Sequence, residues 1–302
     1  MRPLLSVIIA SYGARDTIAR ALASLAGQRG AVPCEVIVVD SSHDGAADVV
    51  AREFPQVRLL RCAERRFAGE ARNLGAAEAR GEILALLDAD CVVPPDWAEQ
   101  VARAHALPHP VIAGVVENGN PTSYVGWAYY FTEFSHWLPG APAGFVDEVP
   151  GCSMTLKRSA YDRYGPFMSG GYCSDTHFLW RLRADGVRPY LDPSIRVAHL
   201  NPERLARLLR HEPQHGRDFA RLRSREQHGA GAALLRAATA PLLPPLLFAR
   251  AARRASRHRR HIGPFALAAP LTFAAMTAWS WGELTGYLES AVVPARRGAR
   301  AR

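Results

Sequence analysis

Only five of the 302 residues are cysteine, an odd number, and Cys34, Cys62, Cys91, Cys152 and Cys173 form no C-x-x-C pair. That excludes a disulfide-stapled secreted scaffold, and thiols in or beside apolar runs fit a reducing compartment. No Gly-rich loop of the G-x-G-x-x-G form follows the first apolar run, where Ser11-Tyr12-Gly13-Ala14 stands instead. A dinucleotide dehydrogenase is thereby excluded, and a sugar-nucleotide pyrophosphorylase lacks its basic phosphate loop. No internal repeat occurs. Leu4–Ala10 is apolar but short for a signal segment, has Ser6 inside it, and is followed by no convincing cleavage site, so it reads as a strand. Acidic residues are missing from 250–261 and from 294–302, which together carry ten of the 37 basic residues.

Those two blocks account for the net charge of +9, because the rest of the chain balances 27 basic against 28 acidic residues. The basicity belongs to a C-terminal appendage, and since apolar segments flank it, an anionic membrane surface is a more economical partner than nucleic acid. At 48% hydrophobic and 22% charged residues the chain is globular, and its length allows one large α/β domain plus that appendage.

Strand-like and helix-like segments alternate through the first 120 residues. Strands are expected at Leu4–Ala10, Glu35–Val39, Val57–Cys62, Ile83–Leu87 and Val111–Val116, with helices between them, which predicts a mostly parallel, doubly wound sheet. The fourth strand is an apolar run that stops at two carboxylates, Asp88 and Asp90. Ligands of open α/β sheets bind beyond the carboxyl ends of the strands. Two acids there need a cation between them, and hard oxygen ligands suit Mg²⁺ or Mn²⁺ shared with phosphates. The aromatic stretch 124–138 (YVGWAYYFTEFSHWL) fits either a helix packing its rings into a core or a wall for an acceptor.

Five segments, in order, carry a resemblance. They are LLSVIIASYGARDTIARALASL, EVIVVDSSHDG, FAGEARNLGAAEARGEILALLDADCVVPPDW, VPGCSMTLKRSAYDRYGPF and SDTHFLWRLRADG, within roughly residues 3–200. The chain resembles the family 2 glycosyltransferases, which have the GT-A fold and use nucleotide-diphospho-sugars. The resemblance implies a Rossmann-like catalytic domain over 1–228 and a hydrophobic helical region over 229–302. It implies that Ala10, Tyr12 and Asp40 hold the nucleoside and that Arg72 meets the nucleotide or its phosphate. Asp88 would lie near ribose or metal, Asp90 would be the firmer metal ligand, and His199 would stand near metal and diphosphate; a core or surface histidine is the other reading of His199. Inverting transfer needs one base opposite the leaving group. Asp175 matches that base, although it follows Ser174 where the family usually has glutamate, and as a lone residue it also reads as a helix N-cap.

Asp40-Ser41 replaces the family's common Asp-Asp, which leaves the nucleotide open, and the Q-x-x-R-W signature of processive synthases is absent, which favours adding one sugar. His211-Glu212-Pro213-Gln214-His215 spells H-E-x-x-H, but Pro213 is expected to break the helix that a zinc site needs. The apolar segments 237–249 and 262–282 admit an interfacial or re-entrant hairpin, a single span by the second, or a soluble hairpin. The hairpin keeps both arginine blocks on the cytoplasmic face, so the chain is expected there, acting on an acceptor that the tail suggests is lipid-linked.

Overall fold

The computed structural model describes residues 3–227 and 230–292. In chain order the elements are β1 (Leu5–Ser11), α1 (Ile18–Ala26), β2 (Cys34–Asp40), α2 (Ala46–Glu53), β3 (Arg58–Arg61), α3 (Ala68–Glu78), β4 (Ile83–Asp88), β5 (Cys91–Val92) and α4 (Trp97–His105). They continue with β6 (Val111–Asn118), α5 (Tyr124–Phe134), β7 (Gly144–Phe145), β8 (Met154–Lys157), α6 (Arg158–Tyr164), α7 (Ser174–Ala184) and β9 (Tyr190–His199). The last helices are α8 (Leu205–Gln227), α9 (Ala230–Thr239), α10 (Leu243–Ser256) and α11 (Arg259–Val292). Two compact units result. One takes the chain up to Asn120 together with Trp137–Asn201, and the other takes Pro121–His136 and the chain from Pro202 onward.

The first unit is built on one mixed sheet in the order β3-β2-β1-β4-β8-β6-β9-β5, with β7 paired to β9. Its N-terminal half, β3-β2-β1-β4, is wholly parallel, and β6 runs parallel to β9. This matches the mostly parallel α/β fold read from the strand and helix rhythm. Strand β8 runs antiparallel to both β4 and β6, a reversal that hydrophobic periodicity does not encode. Both faces of the sheet are covered. Leu5, Ile8 and Ile9 of β1 and Leu84 to Leu87 of β4 are buried, each apolar side chain contributing about 1.5–3 kcal/mol of burial. Covered on both faces, the parallel strands expose functional groups only at their ends.

The second unit is helical. It takes up the chain after Asn201 and includes α5, whose Tyr130, Phe131 and Phe134 are buried; Phe131 meets Phe265 of α11 edge-on at 5.0 Å. Ring packing into a core is therefore what this aromatic stretch does. Helix α8 passes through Pro213 without a break, contrary to the expectation that this residue interrupts it. An interior proline costs about 3 kcal/mol through a lost backbone hydrogen bond and a clash with the preceding turn. Packing against α11 holds the helix together. A Cβ on Gly282 would run into the carbonyl oxygen of Pro213, and one on Gly216 into that of Trp279, so the two backbones touch at this seam. Beyond it, Arg221 pairs with Glu289 at 2.8 Å, and Arg217 with the same carboxylate. Gly231–Ser256 and Arg259–Val292 are both long and apolar enough to cross a membrane by length and composition. The tail 294–302, with its four arginines, lies outside the described residues.

Candidate active site

Register at the carboxyl edge of the parallel half brings the first group of residues together. Ser11 of β1 stands beside Asp40 of β2, and Ala10 beside Asp88 of β4. Asp40 is buried. Its Oδ1 accepts hydrogen bonds from the hydroxyls of Ser11 at 2.6 Å and Ser42 at 3.0 Å, and its Oδ2 from the Ser42 amide at 3.3 Å. Ser42 thus faces Asp40 with its amide and has its hydroxyl between Asp40 and Asp44 Oδ1, the latter at 2.8 Å. Tyr12 is half exposed, and the Arg65 guanidinium lies 4.5 Å over its ring and 4.8 Å from that of Phe67. Together they form a cationic aromatic shelf suited to a planar base. Arg65 has no periodic or motif signal, and the sequence reading missed it.

Arg72 is the hub of the second group. It projects from α3, is buried, and its Nη2 pairs with Asp88 Oδ1 at 2.9 Å. Burial works against the guanidinium charge, but Asp88 and then Asp175 outweigh it and hold the group firmly protonated. Arg72 therefore faces protein carboxylates. Asp175 lies in the first turn of α7, whose N-cap is Cys173 in a left-handed conformation at φ 63°, so Asp175 is not the cap. Its Oδ2 accepts from the Gly151 amide at 3.0 Å and its Oδ1 from the Thr176 amide at 2.9 Å. Gly151 is where these groups converge. A Cβ there would stand 2.5 Å from Arg72 Nη1 and 2.8 Å from Asp175 Oδ2. It sits in the VPGCS segment, and that proximity had no sequence signal.

Asp90 and His199 meet through a two-residue ladder. β5 pairs antiparallel with the end of β9, Cys91 opposite His199 and Val92 opposite Ala198, and the Leu200 amide donates to the Asp90 carbonyl at 2.8 Å. Asp90 Oδ1 then lies 3.3 Å from His199 Nε2. The amide of Asn201 is oriented by donating from Nδ2 to Asn118 Oδ1 at 2.9 Å, which turns its Oδ1 to His199 Nδ1 at 3.0 Å. His199 thus has one ring nitrogen held by the Asn201 amide and the other facing a carboxylate oxygen. A histidine whose second nitrogen is bonded to an amide oxygen is the arrangement metal sites use. The residues present fit a divalent ion. Cys91 is close enough to be a third ligand, and burial, then its contact with Cys152, push its metal-free thiol well above the ordinary range.

The model of the family described as glycosyl transferase family 2 matches residues 6–164. The chain is 43% identical over 107 residues to the succinoglycan biosynthesis protein ExoO of Rhizobium meliloti, covering 34% of this chain and 30% of that protein. It is 27% identical over 192 residues to the glycosyltransferase AglE of Haloferax volcanii, covering 60% and 61%. The chain thus spans under a third of ExoO. In three dimensions it is similar to the mannosyltransferase PcManGT of Pyrobaculum calidifontis, solved with GDP-Man and Mn²⁺. The TM-score is 0.59 at 22% identity over 98% of this chain and 89% of that one, which establishes the shared fold.

Proposed function

The chain belongs to glycosyl transferase family 2, and on that footing we propose that it moves one sugar, with inversion, from a nucleotide-diphospho-sugar to a lipid-linked acceptor at the cytoplasmic face of the membrane. In this reading the sheet-based unit carries the chemistry and the helical unit the membrane attachment. The observation that carries it is the convergence of Arg72 and Asp175 on Gly151, with Asp88 paired to the same Arg72. One buried guanidinium couples a donor-side carboxylate to the candidate base, within a fold that also positions Asp90 against His199.

Tyr12 and Arg65 would take the nucleobase, and the edge formed by Ala10 and Asp40 the nucleoside. Asp90 and His199, with Asp88 beside them, would hold Mg²⁺ or Mn²⁺, which supplies positive charge against the leaving diphosphate. The Mn²⁺ and GDP-Man in PcManGT favour this class of ion and donor. Asp175 would accept the acceptor hydroxyl's proton as oxygen bonds to the anomeric carbon and the nucleoside diphosphate departs from the opposite face. The Gly151 and Thr176 amides orient that carboxylate, and their bonds leave lone pairs on both oxygens to receive the proton. Exposed apolar side chains on the helices, among them Leu235, Leu242, Leu267, Trp281 and Val292, support membrane attachment.

Calorimetry of the detergent-purified chain against UDP, GDP and dTDP, with and without Mn²⁺, tests the donor site. Metal-dependent binding of one nucleotide, lost in Asp90→Ala, is expected. Asp175→Asn should bind as the wild type does and transfer labelled sugar to a membrane lipid extract about 10²–10⁴-fold more slowly. Full transfer by Asp175→Asn overturns the base assignment, and binding of no nucleotide overturns the donor site. Release from membranes by salt alone, without carbonate, overturns insertion.

A further inference from the structure

We propose that Glu133, His211 and His215 form a second metal site, distinct from the one at Asp90 and His199, that binds a divalent ion of the zinc class and clips α5 to α8. The site lies wholly within the helical unit and does not rest on the glycosyltransferase reading.

Its first support is the helix itself. Because α8 continues through Pro213, His211 and His215 are one turn apart on one face, the spacing with which two imidazoles share an ion. The second support is geometric. His215 Nδ1 lies 3.4 Å and His211 Nε2 3.8 Å from Glu133 Oε1, and the three ligand atoms all fall within 4.8 Å of one another. A tetrahedral zinc site with bonds of about 2.0–2.2 Å separates its ligand atoms by roughly 3.3–3.6 Å. The His215–Glu133 edge already falls in that range, and the His211–Glu133 edge needs a few tenths of an ångström of closure.

The third support is buried charge. The Glu133 carboxyl faces both imidazole rings, and Glu212 beside it is fully buried. The group facing Glu212 is the Glu133 carboxyl. A low-dielectric pocket with two adjacent carboxyls and two imidazoles must hold positive charge, as protons or as a metal. Two nitrogens and one oxygen at these separations suit zinc, and not the all-oxygen sites of Mg²⁺ or Ca²⁺.

The surroundings point to a structural clip. Trp279 packs edge-on against His215 at 4.5 Å, and the Tyr129 hydroxyl stands 3.5 Å from His211 Nε2 at the rim. In H-E-x-x-H hydrolases the glutamate works on a water at an open position. Here Glu212 is sealed, so it can brace the ligands but cannot reach a substrate.

The test is the metal content of the full-length, tag-free protein, purified in detergent, loaded with Zn²⁺ and dialysed, in an Asp90→Ala background that removes the other candidate site. About one zinc per chain is expected, falling at least tenfold in Glu133→Gln and in His215→Ala. Glu212→Gln should weaken zinc by about 10–100-fold, as for groups that support metal ligands. Co²⁺ loading of the same protein should give the intense visible absorption of a four-coordinate site. Added zinc should also raise the unfolding temperature of the parent and leave that of Glu133→Gln unchanged. Equal zinc content in the parent and Glu133→Gln overturns the proposal, as does a Co²⁺ form with only weak octahedral bands. A His215→Ala protein that does not fold leaves Glu133→Gln, which preserves side-chain volume, to decide.

Discussion

Replacing Gly151 with alanine adds one methyl group to the point where Arg72 and Asp175 converge, and its effect can be worked through from distances. The added carbon would stand 2.5 and 2.7 Å from the two terminal nitrogens of Arg72 and 2.8 Å from Asp175 Oδ2. Ordinary contact needs about 3.5 Å. Gly151 does not adopt a positive φ, so the backbone tolerates alanine and the whole effect comes from the methyl. Arg72 is buried and cannot swing to solvent, which leaves a shift of about 1 Å in Arg72, Asp175 or both. Overpacking of this kind costs about 1–3 kcal/mol of stability, and a displacement of about 1 Å at a reacting group costs roughly 10²-fold in rate. Gly151→Ala should therefore lower the unfolding temperature by several degrees, keep nucleotide affinity within a few-fold, and slow single-turnover transfer about a hundredfold. Transfer within about threefold of wild type would refute the argument. So would an affinity loss equal to the rate loss, because the methyl would then be disturbing the proposed donor site and not the proposed base.

Three further outcomes follow from the geometry. Asn201→Ala releases His199 Nδ1 and should weaken Mn²⁺ by about 10–100-fold in a titration, with little change in folding. Burial, then Lys157 and His109, lower the His105 imidazole from 6.5 to about 4, so the folded state favours the neutral ring. The stability this confers is complete above pH 6.5 and is lost as pH falls towards 4; it amounts to about 3 kcal/mol by linkage, and urea melts of His105→Gln should show a flatter pH profile across that window. Gly282→Leu places a side chain against the Pro213 carbonyl and should force α8 and α11 apart, lowering stability by about 3 kcal/mol or more, read as earlier proteolysis within the helical unit.

What the sequence revealed follows from which interactions are local. β1, β2 and β4 and the carboxylates ending them were legible because buried parallel strands are continuous apolar runs and their edge residues follow directly. The antiparallel β8 and the short β5 were less so, since a four-residue or two-residue strand carries no period. Asp88 was readable from its strand, but its pairing with Arg72 came only from the approach of α3. Arg65, Gly151 and Asn201 escaped notice because their roles consist of proximity to residues far along the chain. Pro213 misled for the opposite reason. Its local rule is sound, and long-range contact at the Gly216 and Gly282 seam overrode it.

The ladder between β5 and β9 also orders events during synthesis. Arg72 leaves the ribosome before Asp88, so that carboxylate meets its counter-charge at once. Asp90 has to wait for His199, more than a hundred residues later. At about 5–20 residues per second that interval is roughly 5–20 s. Through it the nascent sheet has its Asp40 and Asp88 edge but not yet the Asp90–His199 pair. That pair arrives only with the closing strand, near the end of the unit.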